Sequence, residues 1–118
     1  MNVEVGRLDP SEWLGRDVHV VMDRPVGSVH PKHGAIYPIN YGFLPGFISP
    51  DGEELDAYVV GTLDPLAECD GVVVAVIKRH DDIEDKLVVA IAGEWDETSI
   101  RATTHFQERF YTVDIITL

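Results

Sequence analysis

The sequence predicts a mainly β (α+β) fold: a small closed OB-like β-barrel with a C-terminal helix packed on it, residues 1–118 forming a single domain. Two observations carry this. Strand-like apolar runs begin near residues 18, 55, 71 and 86, separated by stretches rich in glycine and proline. Only one segment, late in the chain, carries helical spacing behind a capping residue.

The elements follow in order. Residues 1–16 have weak periodicity and read as an arm carrying Trp13. The first strand is Val18 to Asp23, with Val18, Val20 and Met22 on one face and His19, Val21 and Asp23 on the other. Arg24-Pro25 stops it. Residues 25–50 hold five prolines and four glycines, which predicts mostly loop with short extended pieces. A loop that long in a compact domain is usually functional. Strands are expected at roughly 55–60, 71–79 and 86–92, and the β-branched run Val72 to Ile77 has the composition of a strand buried on both faces. Asp96 caps a helix expected to reach Tyr111, with Ala102, Phe106 and Phe110 as its core face. Asp114 to Leu118 reads as a terminal strand.

Composition narrows the partners. A content of 45% hydrophobic and 25% charged residues in 118 residues suits one globular core. The formal charge of −12 argues against nucleic acid or an anionic membrane surface, since both would be repelled. A phosphate-rich ligand would need metal ions to offset the carboxylates. Cys69 is the single cysteine, so no intramolecular disulfide or thiolate zinc cluster is expected, in keeping with a cytoplasmic location. The first residues lack a signal-like apolar core, and Val72 to Ile77 is too short to span a bilayer.

Two acidic clusters open two of the strands. Asp51, Glu53, Glu54 and Asp56 follow a Pro-Asp-Gly turn, and Asp81, Asp82, Glu84 and Asp85 precede Lys86. Hard divalent cations take oxygen ligands of this kind, so the pattern points to Mg²⁺ and phosphate chemistry. The plainer reading of the first cluster is a turn and a solvated edge strand. Asp82, Glu84 and Lys86 alternate onto one face, as either an exposed salt-bridge ladder or a metal-ligating pair beside a phosphate-binding cation. Lys32 lies between His30 and His33, a spacing that matches no firm zinc template, and could itself contact a phosphate. Tyr37 and Tyr41 read as packing residues with satisfied hydroxyls.

Tyr37-Pro38-Ile39-Asn40-Tyr41-Gly42-Phe43 is followed at a set distance by Asp51-Gly52-Glu53-Glu54-Leu55-Asp56-Ala57. This pair of segments resembles the Tyr-Pro-x-Asn-Tyr-Gly and Asp-Gly-Asp-Pro-x-Asp segments of the soluble family I inorganic pyrophosphatases. The resemblance runs from about Val18 to Lys86 and more weakly through the helix. It implies a diphosphatase that splits pyrophosphate with Mg²⁺, or alternatively Mn²⁺, and forms a homo-oligomer. By the same resemblance Asp51, Glu53 and Asp56 are the catalytic acids that hold metal and the attacking water, Glu53 serving the water. Asp23, Asp82 (or Asp81) and Glu84 join them as metal ligands, while Lys32, Tyr37, Tyr41 and Lys86 hold the substrate.

The departures from the family are specific. Glu53 stands where the family has an aspartate. A hairpin carrying a further glutamate and a phosphate-binding arginine has no counterpart between Lys32 and Tyr37. Phe110-Tyr111 replaces a Tyr-Lys pair, with Arg109 as the adjacent substitute. Two alternatives therefore stand beside hydrolysis of pyrophosphate: a degenerate metal- and phosphate-binding relative, or a hydrolase of a larger phosphoanhydride such as a nucleotide.

Overall fold

The computed structural model describes residues 8–32, 34–49, 52–80 and 84–118. Asp51 and Asp82, both expected as ligands, lie outside the described residues, as do Asp81 and His33. The elements run α1 (Pro10–Trp13), β1 (Asp17–Arg24), β2 (Asn40–Ile48), β3 (Glu54–Val60), β4 (Glu68–Arg79), β5 (Asp85–Ala90), α2 (Glu97–Glu108) and β6 (Val113–Thr117).

Strand β4 closes the barrel because its 12 residues are long enough to serve three neighbours. Its first part pairs with β1, from Val21↔Glu68 to Asp17↔Val72. The remainder pairs with β5 on one side and with β6 on the other, as far as Lys78↔Asp85 and Arg79↔Val113. The ring is β1-β2-β3-β5-β4 and back to β1, with β6 added beside β4. Among the strands of the described residues, only β3 and β5 pair in parallel. A close approach at Gly71 permits the turn of β4, since a Cβ there would lie 2.7 Å from Val89 Cγ1 and 2.8 Å from the Ala90 carbonyl oxygen. Gly42 is tighter still: a Cβ would fall 2.0 Å from the Val21 carbonyl oxygen, so β1 and β2 meet only over a glycine.

Alternation along the strands divides the core in two. Val20, Leu44, Leu55, Val59, Val76 and Leu87 belong to one cluster, which Trp13 of α1 also joins. Tyr58, Val60, Ile77 and Val88 belong to a second cluster with Ile100 of α2. Each fully buried aliphatic side chain contributes about 1.5–3 kcal/mol, so this double layer supplies most of the driving force. The predicted arm thus ends in a short helix, capped by the Asp9 carboxylate on the Ser11 amide at 2.9 Å. Among the described residues no helix is long and apolar enough to cross a membrane.

Two expectations are corrected. The stretch 25–50 is mostly loop up to residue 39, but its extended part is longer than expected, because Asn40–Ile48 forms a nine-residue strand. Pro45 is tolerated there because it falls in the exposed part, where pairing with β3 slips between Leu44 and Ile48. The helix ends at Glu108, and Ala102 and Phe110 are exposed while Phe106 is half-buried. Its buried residues are Ile100, Thr104, Gln107 and Glu108. The aromatic spacing misled because this helix docks largely through polar side chains. Asp96 does cap it, in a reciprocal capping box with Ser99.

The β1–β4 pairing also carries a pH-dependent contact. His19 Nδ1 lies 2.7 Å from Asp70 Oδ1 and its Nε2 lies 2.9 Å from Glu68 Oε1. The Asp70 hydrogen bond, with Glu68 adding to it, raises the imidazole pKa above its ordinary value. A group whose pKa rises on folding stabilises the fold below its unfolded pKa, and that contribution fades as pH climbs through the folded one. Urea midpoints should therefore fall between about pH 6 and about pH 9 more steeply in the parent than in His19→Gln. Parallel curves would show that both hydrogen bonds are too solvated to matter.

Candidate active site

Strand register gathers the candidate residues at one end of the barrel. The parallel pair Ala57↔Leu87 sets Asp56 beside Lys86, and Lys86 Nζ donates to Asp56 Oδ2 at 2.9 Å. The same ammonium donates to Glu84 Oε1 at 2.9 Å. From β2, the Tyr41 hydroxyl donates to Asp56 Oδ2 at 2.8 Å, and its ring lies 5.4 Å from Lys86 Nζ. Burial first, and then the Asp56 charge, raise the Tyr41 pKa well above its ordinary value, which keeps the phenol a donor.

Asp56 and Glu84 form a wall shared by two depressions. On one side is an acidic pocket of about 260 Å³, lined by Asp23, Phe43, Glu53, Glu54, Asp56 and Glu84. Asp23 reaches it from a break in the β1–β2 register between Met22 and Arg24, a device that re-aims a side chain. Partial burial and the neighbouring Asp56 charge push the Asp23 carboxyl above its ordinary range. On the other side is a cleft of about 500 Å³ that brings Lys32, Arg79 and Lys86 together with Tyr41 and Tyr111. Lys32 arrives on the turn bracketed by the Val29↔Ile36 bridge, where its amide donates to His30 Nδ1 at 3.1 Å.

A divalent cation fits the acidic side by donor chemistry. Five carboxylates with one apolar neighbour make an all-oxygen set. Among the described residues no three such side chains already converge on one point. Asp56 and Glu84 are instead held by Lys86.

Two expected substrate contacts lie elsewhere. Tyr37 is buried, and its hydroxyl donates to Gln107 Oε1 at 2.6 Å, so it anchors α2. Arg109 is exposed, with its guanidinium carbon 4.9 Å from the Phe110 ring, and it is not among the residues lining the cleft. The cleft holds a third cation beside Lys32 and Lys86, Arg79, which sequence reasoning missed. Its guanidinium is paired with Glu108 through Nε to Oε1 at 3.0 Å and Nη2 to Oε2 at 2.8 Å. Tyr58 donates to that same Glu108 Oε2 and accepts from Gln107 Nε2 at 2.8 Å. The one available signal was an arginine two positions after the apolar run Val72 to Ile77, on the same strand face as Ala75 and Ile77, since such a charge is buried only with a partner.

The molecule is thus a closed barrel whose mouth sets carboxylates against lysine and arginine. Comparison with known proteins places that arrangement. The inorganic pyrophosphatase family model matches residues 18–113, and the chain belongs to the inorganic pyrophosphatase family. It is 27% identical to the inorganic pyrophosphatase of Gluconobacter oxydans over 144 aligned positions, covering 92% of this chain and 82% of that one. That alignment is longer than the present 118 residues, so the relative carries segments this chain lacks. Identity to the Haemophilus influenzae enzyme of the same name is 33%, over 77% of this chain and about half, 51%, of the relative. The crystal structure of inorganic pyrophosphatase from Ehrlichia chaffeensis shares the fold with a TM-score of 0.68 at 17% identity, covering 88% of this chain and 87% of the other. An inorganic pyrophosphatase from Neisseria gonorrhoeae superposes with a TM-score of 0.57 at 26% identity, over 83% and 79% of the two chains.

Proposed function

We propose that this chain hydrolyses inorganic pyrophosphate to two phosphates and requires a divalent cation, Mg²⁺ by preference with Mn²⁺ as a substitute. The observation that carries the reading is the shared wall of Asp56 and Glu84, with carboxylates on one side and cations on the other. Family membership supplies the reaction. Asp23, Asp56 and Glu84, with Glu53, Asp51 and Asp82, would hold the cation. Once bound, it would offset phosphate charge and lower the pKa of a water.

The chain's own groups do the remainder. Lys86 and Lys32 balance the negative charge of the phosphates, and Tyr41 lines the cleft beside them while its hydroxyl holds Asp56. Glu53, on the turn ahead of β3, orients the attacking water and accepts its proton. Catalysis is then chiefly positioning and charge stabilisation. A homo-oligomer in the cytoplasm is the setting this reading implies.

Phosphate release should occur with Mg²⁺, persist with Mn²⁺ and stop with chelator. The net charge of −12 means a bare polyanion is repelled unless a cation accompanies it. Equal release in all three conditions would remove the metal from the reaction, and none in any would leave a binding protein. Pyrophosphate should also outcompete nucleoside triphosphates by specificity constant. The reverse order would favour a larger phosphoanhydride as substrate.

A further inference from the structure

We propose that Arg79 is a substrate-specificity residue: the guanidinium that grips phosphate oxygens in this cleft, held in place by Glu108 and Tyr111. The inference rests on the pyrophosphatase reading and adds to it a cation that comes from the end of β4.

Position comes first. Arg79 follows Lys78, which pairs with Asp85, and this register sets it beside Glu84. It lines the same cleft as Lys32 and Lys86, so three cations from three separate segments surround one space. A planar guanidinium with a fork of donors matches phosphate oxygens better than an ammonium does.

Orientation is fixed independently of substrate. Glu108 takes the Nε and Nη2 edge in a two-point pair, and the guanidinium carbon lies 3.8 Å from the centre of the Tyr111 ring. Tyr58 in turn donates to Glu108 and itself accepts from Gln107, so the pair is held in place before any ligand arrives. Burial works against the Arg79 charge, and the Glu108 hydrogen bonds and charge more than offset it, so it stays a cation. A preorganised cation loses little side-chain entropy on binding.

The third point is the contact between Nη1 and Glu84. Nη1 meets Glu84 Oε2 at 3.4 Å, clearly longer than the contacts to Glu108. Glu84 is also held by Lys86 and lines the acidic pocket. Arg79 therefore lies beside a carboxylate that lines both depressions. Arg79 would thus do from β4 what Arg109 was expected to do from the end of the helix.

The test uses imidodiphosphate, a pyrophosphate analogue that resists hydrolysis, in calorimetric titration with the full chain and saturating Mg²⁺. Because Arg79→Met alone would strand a buried Glu108, the informative variant is Arg79→Met with Glu108→Gln. Losing one charge-assisted phosphate contact should weaken imidodiphosphate binding and raise the pyrophosphate KM by about 10- to 100-fold. Mg²⁺ affinity measured alone should stay within about threefold or improve, since a cation beside Glu84 has gone. Arg79→Lys keeps charge without the fork and should fall between parent and double variant. Arg101→Gln, which removes an equal charge from the exposed face of α2, should bind like the parent. Unchanged imidodiphosphate affinity in a double variant that melts cooperatively would overturn the proposal and leave Arg79 a purely structural tie. The analogue reads Arg79 whether or not the parent turns over pyrophosphate, so this failure is distinct from failure of the hydrolase reading.

Discussion

Asp56→Asn is expected to lower pyrophosphate turnover and divalent-cation affinity together, each by at least about 100-fold. Groups that only orient a metal ligand typically cost 10–100-fold when changed, and a ligand itself should cost no less. The substitution keeps the shape and leaves an oxygen to accept from the Tyr41 hydroxyl and Lys86. Lys86 also keeps its hold on Glu84. The fold should therefore survive, and the loss should report the missing charge. Glu53→Gln gives the contrast. If Glu53 serves the water, turnover falls while calorimetric metal affinity changes less. An Asp56→Asn protein that binds metal and turns over like the parent would reduce the segment before β3 to a solvated turn.

How far these roles could be read in advance depends on the kind of signal. Alternation exposed β1, where one face is buried, while β3, β4 and β5 showed as near-continuous apolar runs because both faces of their central parts are largely covered. Strand β2 was hidden by Pro45 and its glycines, which mark a bend in the register and not the absence of a strand. The acids and Lys86 were legible because they cluster in sequence on short strand openings. The Arg79 pair was not: its members lie 29 positions apart and meet only when α2 folds back over the barrel. Polar docking of the helix also broke the rule that its apolar stripe faces inward. Phe110 is 55% exposed, whereas Glu108 is 4% exposed.

That buried glutamate sets the largest expected change in stability. Glu108→Ala removes both oxygens from Arg79, takes an acceptor from the Tyr58 hydroxyl and leaves a guanidinium buried without its main counter-ion. Breaking a buried pair from one side costs about 3–5 kcal/mol, because the remaining charge has lost its compensation. Against a typical total of about 5–15 kcal/mol this is a large fraction of the whole. At roughly 3–6 °C per kcal/mol for a chain of this size, the melting temperature should drop by about 10–30 °C. The pair as a unit matters much less than either half. Arg79→Met with Glu108→Gln removes both charges, spares their desolvation and keeps an acceptor near Tyr58, so it should recover most of the loss. Calorimetric melting of parent, Glu108→Ala and the double variant gives the comparison. A single variant that melts within about 3 °C of the parent would mean that water reaches Arg79 and that the pair is not buried in solution. A double variant as damaged as the single would mean that α2 is held by the charge of this pair, with its polar contacts to Tyr37 and Tyr58 too weak to keep it docked.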